Sequence, residues 1–196
     1  MTRSIRRLIC VTALLAAMPG AVAQAQTIGE PEEFTAFAVN MGALTGTGAT
    51  AQLIFNINRW NPAAERDELF TILKEKGQEA LLTRLQRVKS VGTLRTPNSI
   101  GYDLRLALEE PGKDGGRRVL LVTDRPVGFN EATSRPVSID YPFTVVDMQI
   151  PPKGYGQGIM SIAAKIIPAG RSVIVENYDT QPVQLNRIEA RKRTKR

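Results

Sequence analysis

Histidine is absent from this 196-residue chain, and cysteine occurs once, at Cys10. Without histidine there is no serine–histidine or cysteine–histidine nucleophilic machinery. Typical zinc and copper sites draw on the same two residue types, so they are excluded too. No metal and no cofactor is expected. Aromatic residues make up only 6% of the chain, with one tryptophan, Trp60. A transmembrane β-barrel carries aromatic girdles at both interfaces, and this composition fits that architecture poorly. Long hydrophobic runs are also missing. The longest, Leu8 to Met18, falls well short of the roughly 20 residues that span a bilayer.

That run belongs to an export leader. Arg3, Arg6 and Arg7 precede it, Pro19-Gly20 breaks it, and small residues offer Ala-x-Ala cleavage sites ending at Ala23 or Ala25. Residues 1–25 therefore read as a cleavable bacterial signal peptide, and the mature form is expected to be soluble, in the periplasm or outside the cell. Cys10 leaves with the leader, so the mature chain has no disulfide and depends on packing.

The net charge of +7 belongs to the ends of the chain. Three basic residues sit in the leader, and Arg191, Lys192, Arg193, Lys195 and Arg196 close the sequence. The body between them is close to neutral. Residues 191–196 read as a solvated, disordered tail that attracts anionic headgroups or another polyanion. The tail holds no aromatic residue for base stacking, so specific nucleic-acid recognition is not expected.

Within residues 26–190 the pattern is that of one strand-rich domain. Ala51, Leu53, Phe55 and Ile57 alternate with polar residues, as in a half-buried strand. Asn61-Pro62 opens a helix, with Asn61 expected as its N-cap. Gly77 stops that helix, and a second follows to Val88, giving a helical hairpin over 62–88. Leu69, Leu73, Leu81 and Leu85 form its apolar stripe. Tyr102, Leu104, Leu106 and Leu108 alternate with Asp103, Arg105 and Ala107. Further strands are expected over 119–123, 143–150, 158–167, 172–177 and 183–188. Short connections favour antiparallel pairing. The fold class is mainly β (α+β): a curved antiparallel sheet of about nine strands, barrel or sandwich, with the helical hairpin inserted.

Three segments together carry a resemblance: 95–105 with Thr96-Pro97-Asn98, 114–126 with Thr123-Asp124-Arg125-Pro126, and Asp140-Tyr141-Pro142-Phe143-Thr144. With Glu65-Arg66-Asp67 they resemble a family of uncharacterised exported bacterial proteins of similar length. The resemblance covers most of the chain after the leader and brings no catalytic residue with it.

Candidate sites follow from polar clusters. The long loop from Asp124 to Tyr141 carries Asp124, Glu131 and Asp140, which could converge as oxygen ligands or as an acid–base pair. The plainer reading has Asp124 ending a strand and pairing with Arg118 or Arg125. Asp103 and Arg105 share a strand face and are candidates to orient a ligand. Gly154-Tyr155-Gly156-Gln157-Gly158 is expected to be a hairpin connection, because no helix follows it. The expected function is a non-enzymatic exported module that binds an apolar or amphipathic small molecule, or a partner envelope protein. Two alternatives stand beside it. One is a carboxylate-dependent hydrolase of cell-wall or sugar polymers, using two acids among Asp103, Asp124, Glu131, Asp140 and Asp147. The other is an envelope structural protein tethered by its basic end.

Overall fold

The computed structural model describes residues 29–40, 49–127, 140–169, 172–177 and 181–193. The expected leader and Glu131, Lys195 and Arg196 lie outside these residues. Among the described residues nine antiparallel strands form one sheet: β1 (Glu32–Asn40), β2 (Ala49–Ile57), β3 (Gly92–Arg95), β4 (Tyr102–Pro111), β5 (Arg117–Thr123), β6 (Phe143–Ile150), β7 (Gly156–Ala169), β8 (Ser172–Asn177) and β9 (Val183–Lys192). Their order is β6-β5-β4-β3-β2-β1-β9-β7-β8, and β6 also pairs with β7. That last pairing closes eight strands into a barrel and leaves β8 outside it. The barrel alternative is therefore the correct one.

An eight-stranded barrel has an interior just wide enough for side chains to fill, and here they fill it. Phe34, Phe55, Ile57, Leu94, Leu104, Leu121, Met148, Met160 and Leu185 are almost fully buried and belong to one continuous core. At one end Val127 closes this core. Its N–H donates to the Thr144 hydroxyl at 2.8 Å, and that hydroxyl donates to the Ile162 carbonyl at 2.6 Å. Buried threonines thus satisfy backbone groups that would otherwise be orphaned where the ladder ends.

A second core lies outside the barrel. The helix α1 (Ala63–Arg87) breaks at Gly77, whose φ of 79° and ψ of −175° lie in a region that only glycine occupies readily. The chain doubles back there. Glu68 and Arg84 meet at 2.9 Å, whereas 16 residues of unbroken helix would hold them about 24 Å apart. Leu69, Leu73, Leu81 and Leu85 pack, as expected, on Val122, Phe143, Val145, Ala164 and Ile166 from the barrel's outer face.

Two local details differ from the sequence reading. Asn61 does not cap the helix; Pro62 occupies the N-cap position without a side-chain bond. Asn61 Oδ1 instead accepts the Ala107 N–H at 2.8 Å, and the Asn61 N–H donates to the Ala107 carbonyl at 2.9 Å. Because β3 is only four residues long, β4 would have an unpaired edge at Ala107, and Asn61 supplies the missing partner. The second detail concerns β4. Leu104 pairs with Thr123 but Leu106 pairs with Val122, so a bulge at Arg105 interrupts the alternation. Leu104 and Ala107 consequently face the interior, while Leu106 turns outward against the second core.

The basic end also needs correction. Arg191 and Lys192 are the last residues of β9 and pair with Glu33 and Glu32 of β1, and the Arg193 N–H donates to the Pro31 carbonyl at 2.8 Å. Residues 191–193 therefore belong to the barrel wall. Backbone pairing with β1, together with the acidic partners Glu30 and Glu189, holds these basic residues in place.

Candidate functional site

Both the β4–β5 and β6–β7 hairpins turn at the barrel end opposite Val127, and the crossing from β2 to α1 passes over the same end. Between them lies a cleft of about 840 Å³. Trp60, Asn61 and Pro62 form one wall, Glu109 to Pro111 and Arg117 a second, and Ile150 to Gly154 a third. The size lies within the roughly 300–1,000 Å³ usual for small-molecule sites, which favour barrel mouths.

Arg117 forms the polar centre of this mouth. It holds Glu32 with two parallel bonds, 2.9 Å and 3.0 Å, and reaches Glu109 at 3.2 Å. Its guanidinium also lies 5.5 Å above the Phe34 ring, against which Trp60 packs edge-on at 6.3 Å. The Trp60 indole N–H donates to the Glu30 carbonyl at 3.0 Å. Burial disfavours the charge on Arg117, yet the hydrogen bond and charge of Glu32, with help from Glu109, raise its pKa above the usual value. The guanidinium is a fixed, compensated charge. Lys153, in the β6–β7 turn, is exposed and has no acidic partner among the described residues.

Asp103, Arg105 and Asp124 are brought together, but at some distance from the cleft. Arg105 bonds Asp124 at 3.1 Å and Asp103 at 3.2 Å, and donates to the Val88 carbonyl at 3.0 Å. It thus fastens the C-terminus of α1 to the barrel, where a cation suits the helix dipole. Six residues of β4 separate Asp103 from Glu109, about 20 Å at 3.3 Å per residue. Asp124 pairs with Arg105 and not with Arg118 or Arg125, because the bulge turns Arg105 toward it. Arg118 binds Asp147 instead, at 2.6 Å. Asp140 does not join the cluster; its carbonyl accepts a bond from the Gln78 side chain at 2.6 Å. Among the described residues no acidic cluster is placed to hold a metal ion.

Of the tail, Lys192 bonds Glu30 at 3.0 Å and Arg191 bonds Glu189 at 3.4 Å, so two of its charges are locally matched. Arg193 reaches the Asn58 side chain at 2.9 Å.

The residues at the mouth, namely Trp60, Asn61, Glu109, Arg117 and Lys153, were not candidates from the sequence. The one available signal was that Trp60-Asn61-Pro62, Pro111-Gly112 and Pro151-Pro152 are three turn sequences of similar kind. Only the strand order shows that they share one end. The molecule is a closed, side-chain-filled antiparallel barrel with an outer helical hairpin and an open mouth. No family model, no curated protein and no solved structure matches the chain.

Proposed function

We propose that the protein is an exported, non-enzymatic binding module that takes a small amphipathic molecule at its barrel mouth. The observation that carries this reading is the mouth cleft itself, open beside a barrel interior that is already full. Apolar walls at Trp60, Ile150 and Ile188 suit a hydrocarbon or ring portion, and Lys153 is available to a polar or acidic head. The carboxylates considered for hydrolysis favour binding over catalysis: Asp103, Asp124 and Asp147 each hold an arginine. Export rests on the leader and on the resemblance to exported proteins.

Because Trp60 is the chain's only tryptophan, its fluorescence reports on the cleft. Protein stripped of bound molecules is titrated with fractions of a small-molecule and lipid extract from the cell envelope. A saturable change in Trp60 emission, weakened in Lys153→Glu for acidic ligands, is the expected result. No change with any fraction contradicts the proposal.

A further inference from the structure

Closing a barrel removes sheet edges, yet this chain places β8 outside the closure, where it pairs only with the end of β7. Among the described residues no strand lies along the other side of β8. The β7–β8 arm has two edges, and the fold treats them differently. Beyond Ala164 the β7 edge loses β6 as a partner, and the Gln78 amide covers it by accepting the Ile166 N–H at 3.1 Å. Among the described residues no backbone or side-chain group bonds the outward N–H and C=O groups of β8, and its neighbour on that side of the sheet is Tyr141, whose hydroxyl donates to the Glu176 carboxylate at 2.7 Å. The strand Ser172-Val173-Ile174-Val175-Glu176-Asn177 contains no proline and no lysine, and its single charge, Glu176, stands near its end and away from Ile174.

The register fixes which groups point outward. The Ile166 N–H faces away from β8 toward Gln78, so Ile166 and Val175, which are opposite each other, form a pair without mutual hydrogen bonds. In an antiparallel ladder the backbone groups of Val175 then face the free edge, as do those of Val173 two residues away. Val173 lies opposite Pro168, which has no N–H to offer. Ile174, between them, is 57% exposed.

We propose that β8 is a homotypic docking edge, and that its occupant is β8 of a second copy, antiparallel about a two-fold axis at Ile174. This register sets Val173 against the partner's Val175, and Val175 against the partner's Val173, so the outward N–H and C=O groups of all four residues are satisfied. Ile174 meets its own copy in the non-hydrogen-bonded position, where side chains approach most closely. Glu176 falls opposite Ser172, so no like charges oppose each other. A two-fold interface must be self-complementary in this way. The paired surface is small, so the dimer is weak and concentration-dependent. This inference is independent of the mouth cleft.

Sedimentation velocity of the exported protein over a wide concentration range tests it. Wild type is expected to dimerise reversibly. Ile174→Lys and Ile174→Glu should each raise the dissociation constant roughly tenfold or more, with circular dichroism and melting temperature unchanged. An equimolar mixture of the two variants should restore the dimer, since lysine then faces glutamate on the axis. Val175→Pro, which deletes an outward N–H and keeps the β7 ladder, should also weaken it. A chain that stays monomeric at all concentrations overturns the proposal. So does a dimer indifferent to Ile174→Lys, a mixture that stays monomeric, or a monomer that captures a different polypeptide on β8.

Discussion

Asn61 and Arg117 show how much single side chains carry at the mouth. Asn61 completes the β4 edge and also bonds Glu65 at 2.6 Å. Asn61→Ala leaves the buried Ala107 N–H without an acceptor, and should cost about 1–3 kcal/mol in chemical denaturation. Arg117→Ala strands Glu32, which is only 6% exposed. Removing one partner of a buried pair costs roughly 3–5 kcal/mol; the lower end applies, because Arg117 keeps part of its own exposure. Glu32→Gln should restore much of that loss in the double variant. Glu65 sets an acid limb. Burial raises its pKa, but hydrogen bonds from Arg59 and Asn61 and the charge of Arg59 bring it below the ordinary value of 4.5. A carboxyl lowered on folding contributes stability that is complete above its unfolded pKa and lost as pH falls through the folded one. Unfolding followed from pH 7 down to pH 2 should show part of its decline below about 4.5, and Glu65→Gln should flatten that part.

At the scale of elements, the helical hairpin is held by its leucines and by its turn. Leu73 is 4% exposed, so Leu73→Ala should cost about 2–5 kcal/mol. Gly77→Ala forces a side chain into a glycine-only conformation and should cost about 1–3 kcal/mol, although a Cβ there meets no neighbouring atom. Both values come from equilibrium denaturation; a loss below about 0.5 kcal/mol for Leu73→Ala would detach the hairpin from the core. These elements were readable because their signals are local: a leucine stripe at helical spacing, a glycine stop, alternating strands. Strand β3 was not anticipated, since four residues hold too little periodicity to register. Its Gly92 matters only in three dimensions, where any Cβ would strike the Asn56 carbonyl. The alternation of β4 was legible up to Arg105 and misleading after it. A bulge leaves no mark in the pattern when the residues on both faces are apolar, as Leu106, Ala107 and Leu108 are. The cleft was unreadable for a related reason: it joins three turns far apart in sequence, and strand order alone unites them.

For the whole molecule, closure of the barrel makes residues 191–193 part of the fold. Cutting before Arg191 removes two β1–β9 pairs and should cost about 1–3 kcal/mol, given 0.5–1.5 kcal/mol per hydrogen bond. Cutting after Arg193 should leave the melting temperature unchanged. Equal melting temperatures for both truncations would mean that residues 191–193 contribute nothing. Closure also bears on the proposed binding. With the interior filled, the mouth cleft is large enough among the described residues for a molecule of ordinary ligand size, and Ala63, at the first turn of α1, lines it. Ala63→Trp would occupy that space with the fold intact. Native mass spectrometry of wild type and Ala63→Trp, each purified gently from its native cells, tests this account most directly. A discrete added mass on wild type that is missing from Ala63→Trp is the predicted result. An identical bare mass for both, or an added mass indifferent to the substitution, would contradict it.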